Sequence, residues 1–343
     1  MSSSLNKFLA NHHSRLASHS TCTHAITHAL LLSCFLFLTG CSLLDDFINI
    51  KPNDVSTEGN TPGIIKFIAL GDAGKGNQTQ YQVAEAMQKK CAQDGCDFVL
   101  MLGDNIYSSG VEGIDDSQFQ TKFEDPYQHL DLPFYLVLGN HDYGSNGMGM
   151  EIEKSMHQIK YTKHSQKWNM PRHYYQFKKG NTMFFALDTN AQLYALDADQ
   201  RKDLTQWIAD ANTQWKIAFG HHPYLSNGQH GNAGDYDRIA GIPIANGEKV
   251  KSFAEDIWCG KVDLYLSGHD HNLQWLNQSC AGTQIIVSGS GASTTPLRGN
   301  NPVLFQQATP GFLYVTIKGN KLSGQFVDSN GEIIFSHDIL KPL

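Results

Sequence analysis

The sequence predicts an α/β fold with much parallel sheet, on three observations. Short apolar, β-branched runs recur along the chain, each stopping at a glycine and a polar residue. Stretches with helical spacing lie between several of them, and toward the C-terminus the pattern changes to short runs separated by turn residues. Runs that are apolar at every position suit strands buried on both faces of a sheet. Their alternation with helices suits βα units.

The elements follow in chain order. Residues 64–70 run into Gly71-Asp72, residues 98–102 into Gly103-Asp104, and residues 134–138 into Gly139-Asn140-His141. Leu204, Trp207, Ile208 and Ala211 form one apolar helical stripe, and residues 250–258 are a second helix candidate. Residues 215–219 end at Gly220-His221, and residues 262–266 stop just before Gly268-His269. Residues 312–317, 322–327 and 333–337 read as antiparallel strands turning at Gly319-Asn320 and Asn330-Gly331. No repeat or linker interrupts this span, so residues 63–343 are expected to be one domain.

The first forty residues read differently. Lys7 and Arg15 precede the apolar stretch ALLLSCFLFL at 29–38, which is short for a transmembrane helix and is followed by Leu38-Thr39-Gly40-Cys41. That ending resembles a bacterial lipobox, which implies a signal peptide over 1–40 and acylation of Cys41. Residues 41–62 are then the lipidated cysteine and a polar tether. Ser42 after the cysteine matches outer-membrane sorting, so the expected location is the envelope of a Gram-negative-type bacterium, lipid-anchored. Four further cysteines remain, Cys91, Cys96, Cys259 and Cys280. In an oxidising compartment they pair most simply as Cys91–Cys96 and Cys259–Cys280, with buried free thiols as the alternative.

Composition narrows the function. The 343 residues are 41% hydrophobic and 17% charged, which is a globular balance, and the net charge of −7 comes without a lysine or arginine cluster. A duplex nucleic-acid partner is therefore not expected. Histidine, at 16, is abundant. Strand ends deliver Asp72, Asp104, Asn140, His141, His221, His269 and His271, with Tyr107 three residues after Asp104. Oxygen and imidazole donors suit iron, zinc or manganese, and this many ligands suit two ions bridged by a carboxylate. Such pairs serve in-line displacement at phosphorus.

In order, GDAG (71–74), LGDNIYSSGV (102–111), LGNHDY (138–143), GHHPY (220–224) and SGHDHN (267–272) resemble the motifs of calcineurin-like metallophosphoesterases. The similarity is greatest to the small purple acid phosphatases of the tartrate-resistant type, and it covers residues 63–343. Five motifs in order are far more specific than any one. The resemblance implies a four-layer α/β/β/α sandwich with mixed sheets and a dimetal site at the strand C-terminal ends. It implies ferric iron on Asp72, Tyr107 and His271, a bridging Asp104, and ferrous iron, zinc or manganese on Asn140, His221 and His269. Generic members carry Asp-x-His in the first motif; here the third position is Gly74, and Tyr107 stands where purple acid phosphatases place a tyrosinate.

The implied reaction is hydrolysis of small phosphate monoesters, with hydroxide formed at the metals attacking phosphorus. His141 and His230, the latter nine residues after His221, would assist the leaving group, giving an acid phosphatase. A monomer is expected. Two other readings stay open. A phosphodiesterase or nucleotidase would use the same metal core, with the loops at 286–310 and 221–235 deciding access. A non-catalytic binding lipoprotein is more distant, since every ligand position holds a competent residue. The long protease-sensitive loop of the mammalian-type enzymes is expected to be largely missing, because only about ten residues separate Asp188 from the helix near Asp199.

Overall fold

The computed structural model describes residues 63–342, except 195–197, 240, 243 and 244. The expected signal peptide over 1–40 and the expected lipidated cysteine and tether over 41–62 lie outside the described residues.

Fourteen strands form two mixed sheets of seven among the described residues. The strands are β1 (Ile65–Leu70), β2 (Phe98–Leu102), β3 (Phe134–Val137), β4 (Trp168–Asn169), β5 (Tyr175–Lys179), β6 (Thr182–Ala186) and β7 (Trp215–Phe219). They continue as β8 (Leu264–Ser267), β9 (Leu273–Leu276), β10 (Gln284–Ser288), β11 (Val303–Gln307), β12 (Gly311–Lys318), β13 (Lys321–Asp328) and β14 (Ile333–Leu340). One sheet has the order β14-β13-β12-β1-β2-β3-β4, the other β11-β9-β10-β8-β7-β6-β5. In the first sheet the parallel strands β1, β2, β3 and β4 run out to one edge, whereas in the second β6, β7, β8 and β10 lie at the middle. The C-terminal hairpins add antiparallel strands against β1.

The sheets face each other through aromatic rings. Phe67 of β1 stacks on Phe98 of β2 at 5.2 Å, and Phe184 of β6 meets both edge-on at 5.5 and 5.3 Å. Helices cover the outer faces. The helix α1 (Gln78–Asp94) is capped by Asn77, whose side chain accepts the Gln80 N–H at 3.0 Å. It buries Val83, Ala84 and Met87 in the core of the first sheet. After α2 (Ile152–Tyr161) and the short α3 (Thr189–Leu193) comes α4 (Ala198–Asp210), which buries Leu204 and Ile208 in the core of the second sheet. There it joins α5 (Glu248–Phe253), whose chain continues through a π turn to Trp258. The layers are thus α/β/β/α, as the motifs imply.

Cys91 is joined to Cys96 and Cys259 to Cys280 in the structure. The first pair closes the end of α1, and the second ties the segment before β8 to that before β10. Among the described residues no helix is long and apolar enough to cross a membrane.

Candidate metal centre

The carboxyl ends of β1, β2, β3, β7 and β8 converge. The two sheets meet closely here: a Cβ on Gly71, after β1, would lie 3.1 Å from the Cα of Gly268, after β8. This approach brings the turn carrying Asp72 against the turn carrying His269 and His271. Asp72 Oδ2 accepts the His269 N–H at 2.8 Å. Asp72, Asp104 and His269 all sit at positive φ, 59°, 54° and 66°. Left-handed backbone costs a non-glycine residue about 1–2 kcal/mol, and such strain concentrates where function demands a geometry.

One half of the cluster is anionic. The Tyr107 hydroxyl lies 3.0 Å from Asp72 Oδ1 and 3.0 Å from His271 Nε2, and that nitrogen is 3.3 Å from Asp72 Oδ1. Burial would push Asp72 up, but the neighbouring His271 and His221 hold it below its ordinary range. Burial, and then the charges of Asp104 and Asp72, push the Tyr107 phenol well above its usual range. Lys75 Nζ lies 4.7 Å from the centre of the Tyr107 ring and donates to Ser293 Oγ at 2.8 Å. Ser293 Oγ in turn is 2.9 Å from His271 Nδ1.

The other half uses neutral donors. His221 Nδ1 donates to the Leu102 carbonyl at 2.9 Å, which fixes the tautomer and turns the Nε2 lone pair inward. Nε2 then lies 3.0 Å from Asn140 Oδ1, 3.1 Å from His269 Nδ1 and 3.5 Å from Asp104 Oδ1. Asp104 therefore stands between the halves. Burial opposes charging of His221, but Asp104 and Asp72 outweigh it and raise its pKa. Burial and the surrounding histidines hold His269 well below its ordinary value, so it is a neutral imidazole.

Lone pairs from carboxylate, amide and imidazole atoms thus converge with few protons between them. A buried cation is what such a set accommodates, and the two groups Asp72–Asp104–His221 and His221–His222–His269 each bring their ligand atoms within 4.8 Å. The donors fit a pair of ions. Gly74 explains the departure from Asp-x-His. A Cβ there would fall 1.8 Å from the Asn105 carbonyl oxygen. The Tyr107 N–H donates to the Gly74 carbonyl at 2.9 Å, and the Gly74 N–H to that of Asp104 at 3.2 Å. The loop presenting Tyr107 occupies the space of any side chain at 74.

Both histidines assigned to the substrate side lie at the cluster. His141 Nδ1 donates to the Ser108 carbonyl at 2.6 Å, and Nε2 is 4.0 Å from Asp104 Oδ2. The His230 ring stacks 4.0 Å from that of His269. Three residues escaped the sequence reading as site residues. His222, the second histidine of GHHPY, is buried with its ring 4.6 Å from that of His269 and Nδ1 2.9 Å from Thr189 Oγ1. Asp142 accepts the N–H groups of Gly139, Asn105 and Ile106 at 2.8, 3.1 and 3.0 Å, pinning two ligand loops together. Burial and the Asp104 charge push its pKa to about 6. Asp270 accepts the His230 N–H at 2.8 Å, tying that loop to the His269 turn. Each acid adjoins a histidine inside a motif already singled out, and that adjacency was the available signal.

Two sheets whose carboxyl ends bring together a donor set able to hold two ions are the architecture of a dimetal phosphoesterase. The chain belongs to the calcineurin-like phosphoesterase family, whose pattern matches residues 65–273. It is 30% identical to purple acid phosphatase 4 of Arabidopsis thaliana, over 91% of this chain and 93% of that protein. It is likewise 30% identical to human tartrate-resistant acid phosphatase type 5, over 81% and 91% of the two chains. Among solved structures, GAP50, the anchor in the inner membrane complex of Plasmodium, shares the fold with a TM-score of 0.64 at 24% identity, over 81% and 90% of the chains. The yellow lupin purple acid phosphatase PPD1 does so at 0.62 and 17%, over 82% and 54%.

Proposed function

We propose that the protein is an acid phosphatase that hydrolyses small phosphate monoesters, held on a bacterial envelope by lipid at Cys41. The observation that carries the reading is the placement of the Tyr107 hydroxyl against Asp72 and His271, in a loop that fills the space of a side chain at 74. A phenol that burial and two carboxylates keep protonated becomes a ligand only for a strongly charged cation, which favours ferric iron in that half. Asp72, Tyr107 and His271 would hold it, Asp104 would bridge, and Asn140, His221 and His269 would hold ferrous iron, zinc or manganese. When bound, the ions supply Lewis-acid activation of water and charge neutralisation at phosphate.

The chain's own residues do the rest. Asp142 sets the spacing of the Asp104 and Asn140 loops. His141 and His230 flank the cluster where a leaving oxygen needs a proton, a contribution of about 10²–10⁴ in rate for general acids. Burial opposes the charging of His230, but the Asp237 hydrogen bond and the Asp270 charge outweigh it, so the protonated form persists at mildly acidic pH. Support also comes from the two relatives named as acid phosphatases at 30% identity.

The test is the visible spectrum of the metal-loaded protein, followed by turnover of an aryl monoester against a bis-aryl diester. A charge-transfer band lost in Tyr107→Phe, with the monoester preferred, supports the proposal. A colourless, fully loaded protein that prefers the diester would replace it with a zinc or manganese phosphodiesterase.

A further inference from the structure

His230 is fastened to one residue twice. Its ring Nδ1 lies 2.9 Å from Asp237 Oδ1, and its carbonyl accepts the Asp237 N–H at 2.8 Å. With Asp270 accepting the His230 N–H at 2.8 Å, the residue is gripped at both backbone groups and at one ring nitrogen. The segment that delivers Asp237 is strained: Asp237 and Arg238 have φ of 53° and 58°, consecutive non-glycine residues in the left-handed region. Each costs about 1–2 kcal/mol, and such a pair persists only where its surroundings over-determine it. Those surroundings are present. Tyr236 is buried, its hydroxyl donates to the Pro223 carbonyl, and its N–H donates to the Asn246 carbonyl at 3.0 Å.

An ion pair of this exposure adds little stability: the side chains are 28% and 44% exposed. Its content is geometric. A carboxylate on Nδ1 fixes the tautomer with a proton there, aligns the ring on His269, and leaves Nε2 as the nitrogen to meet substrate. We propose that Asp237 is the positioning residue for His230, holding it as the acid that protonates the leaving oxygen. The inference rests on the phosphatase reading given above. As water adds to phosphorus and the P–O bond to the leaving group breaks, its electron pair stays on that oxygen and takes the Nε2 proton. The products are the alcohol and inorganic phosphate, the attacking water yields a proton to solvent, and the imidazole is reprotonated from solvent. Asp237 remains a carboxylate throughout.

Need for an acid depends on the leaving group, and this separates positioning from structural support. The full-length, metal-loaded protein is compared with Asp237→Ala, Asp237→Asn, His230→Ala and the Asp237→Ala/His230→Ala double variant, on ethyl phosphate and 4-nitrophenyl phosphate. Metal content and circular dichroism confirm each preparation. Asp237→Ala is expected to lower kcat on ethyl phosphate about 30-fold but on 4-nitrophenyl phosphate less than about threefold, with KM little changed. Asp237→Asn keeps an acceptor oxygen and should recover most of the loss. The double variant should be no worse than His230→Ala. Equal losses on both substrates, a further loss in the His230→Ala background, or full activity in Asp237→Ala while His230→Ala is impaired would each overturn the proposal. Full ethyl phosphate turnover in His230→Ala would overturn it by removing His230 from the reaction. A wild-type protein with no monoesterase activity would overturn the reading beneath it.

Discussion

The two halves of the cluster share Asp104 and little else. On one side Asp72 and Tyr107 supply anionic or ionisable oxygen with a single imidazole, His271. On the other, Asn140, His221 and His269 supply only neutral atoms. The difference is one of charge at nearly constant geometry, since the closest contacts are 3.0 Å in both halves. A carboxylate and a phenol that would lose its proton on binding would offset the desolvation of a trivalent ion, whereas three neutral donors beside a shared carboxylate would suit a divalent one. On the proposed reading, one fold would sort two ions by the chemistry of its loops.

Asp104→Asn attacks what the halves share, so it carries the largest expected effect: kcat/KM falls at least about 10³-fold. Elemental analysis should show both ions depleted; retention of both would mean that Asp104 is no bridge. The paired variants Tyr107→Phe and His269→Ala separate the halves, each costing about 10–100-fold in activity or metal affinity. The first should abolish a visible band while sparing the divalent ion, and the second should do the reverse. Identical metal loss in both would dissolve the distinction.

A smaller effect concerns Asp188, which precedes Thr189, whose hydroxyl oxygen accepts the His221 N–H at 3.3 Å. Asp188 caps α3 by accepting the Ala191 N–H at 2.9 Å and receives the Tyr143 hydroxyl. Burial pushes its pKa to about 6 from 3.8. Because the folded state binds this proton more tightly, its contribution is complete below about pH 4 and is lost as pH rises toward 6. The span is at most about 3 kcal/mol. Asp188→Asn should flatten that slope in urea titrations between pH 4 and 7, and an unchanged slope would show that Asp188 stays ionised. Least of all should limited trypsin treatment matter. Only a short stretch separates α3 from α4, so turnover should not change, and a several-fold rise would reveal an inhibitory loop.

The strand ends were legible because each couples an uninterrupted apolar run to glycine and a ligand, a pattern that survives without knowledge of pairing. The helix α1 was not. Its buried side includes Gln80 and Lys90 beside Val83 and Met87, which blurs the apolar stripe. The strand β4 is two residues long, too short for periodicity to register. Within the site, residues whose chemistry is their own were visible, whereas Asp142 and Asp237 act by holding backbone or a ring that only the fold brings near. Asp237 in particular sits in a loop whose glycines and polar residues read as ordinary turn chemistry.

The overlap at Gly74 also bears on how such a centre changes over generations. With 1.8 Å between a Cβ at 74 and the Asn105 carbonyl oxygen, Gly74→His cannot restore an imidazole ligand while the Asp104–Tyr107 loop keeps its path. Exchanging one ligand set for the other requires the loop and the glycine to change together. A single substitution at 74 therefore cannot by itself exchange one ligand set for the other in this fold.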